Sequence, residues 1–415
     1  MNESVKSLKC MDVEAWRIFT KQEMIDYLGE VRVRSPKQEG VAPIGSVLAV
    51  RQHLSPVDMF CYLKARFGEP NGLQNYLRRD DSDNWIHWDF NLKAGSEDVY
   101  VCGTNREVHF MLSERLTDSD WKDLILKIKS DYARVGKQKS AVLNSLEKWV
   151  IFPNKFVEIA TICSDLHGEI VDSIRKYSPY EFPPVSSKES EQENDDKQRK
   201  RLSKHYGSLY RNCLELSLIT PVLAEAFINM TILILCKKEV RENVRQFEAF
   251  IRSEIDTKIF DLAYKCEGFK KRVDPNELSY KNFKRVMDKR NHAIHGNIAP
   301  EREKIEVVYF EGKRPLFKEP GDHITKHFES IVRRHDPEVV VKDYEDTYEF
   351  LSSIAACLEL SLQENFWRIM EDRYPGYDLN RKITGVLLPE HIAVGHAQGV
   401  RYDDELSVNW TKVAQ

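Results

Sequence analysis

The chain has 415 residues, 41% of them hydrophobic and 31% charged, with a formal net charge of −4. That length supports two or three domains, each with its own core, and the composition is that of a globular, water-exposed protein. The mildly acidic balance excludes a protein that coats nucleic acid along its whole surface, so a polyanion has to be met by a local patch. Eight cysteines are scattered from Cys10 to Cys357 without a CxxC pair. This is the pattern of a reducing compartment, and neither a disulfide framework nor a structural zinc module is expected. The first residues, MNESVKSLKCMDVE, lack the apolar core of a signal peptide, so the expected location is cytoplasmic.

Residues 1–40 read as an N-terminal extension and 41–177 as a small α+β accessory domain. Ser55 and Pro56 open a helix that runs to Phe67, with serine as N-cap and proline in the first turn. Ile86, Trp88, Phe90 and Leu92 alternate with His87, Asp89 and Asn91, which predicts a half-buried strand. DVYVCGTNREVHFML follows as a hairpin turning at Gly103-Thr104-Asn105. Trp121, Leu124, Ile125 and Ile128 then take helical spacing behind an Asp118 cap. His87 and His109 fall on strands that one sheet can bring together, although histidines on a solvated strand face are ordinary.

Residues 178–204 are rich in proline, serine and charge, and read as a linker or mobile loop. Residues 205–372 are dominated by helices. CLELSLITPVLAEAFINMTILILC (213–236) is apolar enough to suggest a membrane span, but it carries Glu215, Glu225, Asn229 and a central Pro221. A core helix, kinked or restarted at Pro221, is the better reading, and no membrane is expected as a partner. Val240, Val244, Phe247, Phe250 and Ile251 form the next stripe, and a late helix covers roughly 342–371. Between them, 304–317 reads as a hairpin turning at Glu311-Gly312. Residues 373–415 read as a C-terminal tail, in which His391 and His396 carry no readable signal. The fold class is thus α+β and multidomain: a small α+β module, then an all-α helical bundle with a β-hairpin insertion.

The stretch DKRNHAIHG (288–296) carries the chemistry. Arg290 follows Val286 by four residues and Met287 by three, and precedes Ile294 by four, so it lies inside the apolar stripe of its helix. A charge there needs a partner: a carboxylate, a phosphate or the face of another subunit. Asn291 and His295 share a neighbouring face, and Gly296 supplies a helix stop. A guanidinium holds phosphate oxygens, and an imidazole takes or gives a proton near neutral pH. Residues 265–292 hold nine Lys or Arg against four acids, Lys270, Lys271, Arg272, Lys284, Arg285 and Lys289 among the cations. With His292, these six are the candidate RNA-binding residues.

Arg290-Asn291, then three residues and His295, resembles the motif of the HEPN superfamily (higher eukaryotes and prokaryotes nucleotide-binding domains). PVLAEAFINMTILIL, with Glu225 amid apolar residues, is similar to that family's first core helix. The resemblance covers about 205–372 and implies a HEPN-like bundle acting as a homodimeric endoribonuclease that needs no metal or other cofactor. It implies His295 as acid–base group, Arg290 as phosphate holder and Asn291 as a positioning amide; His292 is outside the shared pattern. It further implies attack by the RNA's own 2′-hydroxyl and a setting in stress or antiviral defence, as a toxin-like nuclease, with the accessory domain sensing a trigger or regulatory partner. Two alternatives stand beside it. One is a non-catalytic HEPN scaffold binding RNA, a nucleotide or a protein. The other is a metal-dependent hydrolase using His323, His327, Glu329 and His335, which lack the Glu of HExxH. Arg290 and His295 as plain C-terminal capping is the blandest option, yet capping leaves the apolar neighbours of Arg290 unexplained.

Overall fold

The computed structural model describes residues 8–33, 45–77, 84–177, 189–294, 300–318, 320, 326–327, 330–331, 333, 335–389, 391–392 and 395–410. It is mixed α and β and mainly helical, in two compact units: Met1–Lys148 with Leu387–Gln415, and Trp149–Val386.

The first unit contains β1 (Arg17–Ile18), α1 (Lys21–Val33), β2 (Ser46–Val50), α2 (Pro56–Phe67), α3 (Leu73–Leu77), β3 (Trp88–Ala94), β4 (Glu97–Gly103), β5 (Val108–Leu112), α4 (Asp118–Asp131) and α5 (Gly136–Ser145). Its strands form one antiparallel sheet in the order β1-β3-β4-β5-β2. The register aligns Phe90, Val101, Phe110 and Leu48 across four strands. Because side chains alternate with period two, this row faces one side, where it packs with Met59, Tyr62 and Leu63 of α2 and Leu124, Ile125 and Ile128 of α4. Ser55 caps α2 as expected. The α4 cap is Thr117, one residue before the expected Asp118. Its hydroxyl accepts from the Asp120 amide while the Asp120 carboxylate accepts from the Thr117 amide, a reciprocal pair that Asp118 is not placed to form.

The opposite sheet face corrects the expectation of a half-buried β3. Asp89, Asn91, Cys102 and His109 are all buried there. Asp89 accepts from the amides of Gln74 (2.9 Å) and Asn75 (3.0 Å) at the start of α3 and from the Tyr100 hydroxyl (3.1 Å). Asn91 exchanges hydrogen bonds with Asn71. Gly72 is required at this close approach, since a Cβ there would stand 2.1 Å from the Asp89 carboxylate. The alternation was therefore real, but its polar half is covered by chain instead of water. His87 and His109 do not pair: His87 meets Asn105, and His109 meets Glu107 at 2.9 Å. The N-terminal residues also join this unit, with Arg17 and Ile18 pairing with Lys93 and Leu92, and part of the tail joins through Ala49 and Tyr402.

The second unit holds β6 (Trp149–Ile151), α6 (Lys155–Tyr177), α7 (Glu189–Leu235), α8 (Lys238–Glu242), α9 (Val244–Arg252), α10 (Ile255–Lys265), α11 (Leu278–Ile294), α12 (Pro300–Glu303), β7 (Val308–Glu311), β8 (Arg314–Phe317), α13 (Pro337–Ala355), α14 (Leu360–Met370), β9 (Gly376–Asp378) and β10 (Thr384–Gly385). Helix α7 packs on α6, α11 and α13, with Leu216, Leu223, Phe227 and Ile228 fully buried, and Phe283 of α11 stacks on Phe350 of α13 at 4.4 Å. By length and composition α7 contains a stretch apolar enough to cross a membrane, and half of that window is buried within the unit.

Four sequence expectations change here. The linker ends earlier than 204, because α7 already begins at Glu189. Acids in 189–196 precede bases in 197–204, an order that suits the helix dipole and i,i+4 pairing. Helix α7 also runs through Pro221 without a break; nearby, the hydroxyls of Ser217 and Thr220 bond back to carbonyls four residues earlier. The late helix is two, α13 and α14, separated where buried Leu358 bridges to Phe269. Finally, α6 belongs with the helical unit and not with residues 41–148, and residues 376–385 add two strands beside β6.

Candidate functional site

Helix α11 buries Phe283, Val286 and Met287, and Arg290 continues that stripe half-buried. Its Nε is shielded from solvent and has no hydrogen-bond partner, while Nη1 donates to Asn291 Oδ1 at 3.1 Å. Among the described residues no carboxylate pairs with Arg290. Among the described residues, then, the first of the three expected partners is not found. Leaving a buried guanidinium nitrogen without a partner costs on the order of 1–3 kcal/mol. Asn291 is exposed beside it. His295, Gly296 and the side chain of His292 lie outside the described residues, and so do His323 and Glu329 of the metal alternative.

The other cations divide into two groups. Lys284 donates to Asp256 of α10 at 2.6 Å, a hydrogen bond that holds the ammonium above its ordinary pKa. Arg285 lies 2.9 Å from both Asp343 and Asp346 of α13, and Lys289 is 2.6 Å from Asp343. The Asp346 contact is a hydrogen bond; at Asp343 Oδ1 the guanidinium is close but poorly aligned, so attraction of charge carries that contact. These three side chains tie α11 to its neighbours, and the cationic excess counted along 265–292 is partly cancelled by acids from other helices. Lys270, Lys271 and Arg272 are exposed between α10 and α11, and the Arg272 guanidinium lies 4.2 Å over the Tyr264 ring.

Sequence reasoning missed the partners. Asp343 and Asp346 stand three apart on a helix that also buries Val340, Thr347 and Phe350, and a buried acid in such a stripe is the signal that was available. It also missed Lys258 of α10, which is buried and donates to Asn229 Oδ1 of α7 at 2.9 Å. Desolvation lowers its pKa, and the charge of Glu225 works against that shift.

Two other places for chemistry are less suited. All eight cysteines are unpaired and buried, and burial pushes their thiols up, those of Cys163 and Cys213 to about 12. None is a ready thiolate near neutral pH. An open groove of ≈ 400 Å³, lined by Phe156, Ala160, Asp165, Tyr348, Trp367 and Glu371, contains no residue of α11. Comparison with protein-family models, curated proteins and solved structures finds no match to the chain, so the α11 end rests on its own geometry.

Proposed function

We propose that the protein is a metal-independent endoribonuclease of HEPN type, with its site at the C-terminal end of α11. The observation that carries this reading is Arg290, a guanidinium with a solvent-shielded, unpartnered Nε beside the exposed amide of Asn291. A phosphate presented there would give Nε an acceptor, and a planar donor fork suits two phosphate oxygens. In the proposed reaction His295 takes the proton from a ribose 2′-hydroxyl as its oxygen attacks phosphorus. The bond from phosphorus to the 5′-oxygen breaks, that oxygen takes a proton from water, and the products are a 2′,3′-cyclic phosphate and a 5′-hydroxyl. Arg290 stabilises the charge that builds on the phosphate, and Asn291 orients the guanidinium. A homodimer, joining two α11 ends around a two-fold axis, belongs to the same proposal, as do a role in stress or antiviral defence and a sensing role for the first unit.

The pairing of Lys284, Arg285 and Lys289 with Asp256, Asp343 and Asp346 favours a second reading, a helical scaffold that binds RNA or another partner without cutting it. One assay separates the two. Purified protein is incubated with RNA in chelator, with His295→Ala and Arg290→Lys in parallel. Cleavage by the wild type alone, with cyclic-phosphate ends, is the expected result; equal cleavage by all three, or 5′-phosphate ends, refutes the proposed mechanism, and intact RNA throughout favours the scaffold.

A further inference from the structure

Among the described residues of the second unit, the β7–β8 hairpin gathers four large apolar side chains that are exposed. Val308 pairs with Phe317, Tyr309 with Leu316, Phe310 with Pro315 and Glu311 with Arg314, which leaves Gly312-Lys313 as a two-residue turn. Gly312 has φ +59° and Lys313 does not share a positive φ, the pattern of a type II′ turn with glycine first. The turn explains why the ribbon forms. It does not explain the side chains: Tyr309, Phe310, Leu316 and Phe317 are each more than half exposed. An isolated two-stranded ribbon gains little from such residues by itself, and exposed apolar clusters of this kind mark interaction surfaces.

The charges indicate what kind of partner fits. Residues 304–318 contain Lys304, Lys313, Arg314 and Lys318 against Glu306 and Glu311. Both acids already have cationic neighbours, Glu306 in Lys326 and Glu311 in Arg314. Lys304, Lys313 and Lys318 have no ion pair among the described residues. An aromatic ribbon edged by unpaired ammonium groups matches a chain of planar bases joined by phosphates. A second copy of the same patch would meet like charge. A lipid bilayer would meet the turn first, and the turn end carries Glu311, Lys313 and Arg314, which are costly to insert.

We propose that the β7–β8 hairpin binds single-stranded RNA, stacking bases on Phe310 and Phe317 and holding phosphates with Lys304, Lys313 and Lys318. Phe310 and Phe317 are on the same ribbon face as diagonal neighbours, a relation that spaces strand positions by about 7–8 Å. Two ring-to-base contacts span about 7 Å, so one base fits between them. Val308 and Pro315 complete that face. Proline is tolerated because neither strand has a further neighbour among the described residues. The inference deepens the ribonuclease reading and rests on it for the choice of RNA, since the hairpin acts as a tether for the substrate strand.

The test uses the full chain and a fluorescent oligouridine carrying 2′-O-methyl groups, which holds the single strand but removes the attacking hydroxyl. Phe310→Ala/Phe317→Ala should weaken binding at least about tenfold. Lys313→Glu should lower the dependence of log K on log salt by about one. Both variants should melt where the wild type does, because the side chains replaced are exposed, and Phe310→Trp should bind like wild type or better. Unchanged oligouridine affinity in the double variant overturns the proposal. So does a double variant that binds oligouridine normally yet loses adhesion to phosphatidylserine vesicles or loses self-association. The two readings fail separately. Hairpin-dependent binding with uncut RNA sinks the ribonuclease and keeps the platform, whereas cleavage with an unchanged KM in the double variant does the reverse.

Discussion

Arg66 in the first unit and Arg290 in the second both extend from helices into packed surroundings, but their nitrogens meet different company. The Arg66 side chain is 6% exposed; it donates to Asp131 at 2.9 Å, to the Tyr62 hydroxyl at 2.6 Å, and to the carbonyls of Val13 and Glu14. The guanidinium also lies 4.7 Å over the Phe67 ring. Arg290 has Asn291, and its Nε has no partner among the described residues. Arg66 is a structural arginine with its donors well used, whereas Arg290 keeps a shielded donor to spare, a feature it shares with Arg241, whose Nη2 still donates to the Leu233 carbonyl. What distinguishes Arg290 is the exposed Asn291 amide beside it at the helix end.

The comparison breaks most visibly at Asp131. Its side chain is 7% exposed, and Asp131→Ala would leave Arg66 buried with its charge uncompensated. A loss of about 3–5 kcal/mol is expected, read by hydrogen exchange in the first unit so that the second does not mask it. A loss below roughly 1 kcal/mol would mean that Arg66 is not held by this pair.

Arg290 should respond the other way round. Arg290→Met keeps the length of an apolar-compatible side chain and removes the orphaned donor, so the melting temperature should stay level or rise. RNA cleavage should fall by about 10²–10³-fold, the usual cost of removing one donor to a developing charge. If the variant instead unfolds several degrees earlier while its cleavage rate persists, Arg290 is a structural residue like Arg66.

Lys258 lies between these extremes, since its ammonium donates to Asn229 and has a lowered pKa. The sign follows from proton counting. In the unfolded chain this lysine holds its proton up to about 10.5, and in the folded chain it gives the proton up earlier. The unfolded state therefore binds more protons within that window, and stability contributed by this site rises with pH toward 10.5. Lys258→Met should remove that rise. Equal slopes of stability against pH for both proteins between pH 8 and 10.5 would contradict the desolvation of Lys258.

Local chemistry was legible wherever a few adjacent residues decide it. Ser55-Pro56 marked the start of α2, and Glu311-Gly312 marked the β7–β8 turn, because capping and glycine geometry act over four residues. Position in a stripe is legible too, since the spacing of Arg290 from Val286, Met287 and Ile294 places it on the apolar face. Long-range pairing was not. Nothing near Lys289 in sequence announces Asp343, and nothing near Asp89 announces the amides of Gln74 and Asn75. The cationic count over 265–292 overstated the free charge for that reason. Domain limits were misplaced for a related one: residues 401–407 fold back onto α4 and β2, over sequence separations no local pattern can report.

That return of the C-terminal segment supplies the smallest effect and a last contrast with Arg290. Arg401 donates to Asp118 through two nitrogens, at 2.7 and 2.8 Å, and the Ser407 amide adds a third bond at 2.8 Å. These bonds, the Arg401 pair first, hold the Asp118 carboxyl below its ordinary value of 3.8. A carboxyl with a depressed folded pKa contributes stability that is fully present above its unfolded pKa and is lost as pH falls through the folded one. Asp118→Asn should therefore loosen residues 401–408 at pH 7, seen as faster amide exchange there. The difference from wild type should shrink once pH drops below 3.8, where the wild-type carboxyl begins to protonate as well. Asp118 is partly exposed, so the effect is screened and should weaken further in high salt. Faster exchange that persists undiminished after the wild-type Asp118 carboxyl has protonated would show that its side-chain shape, and not its charge, anchors the segment. Arg401 would then be a cation whose partner is dispensable, closer to Arg290 than to Arg66.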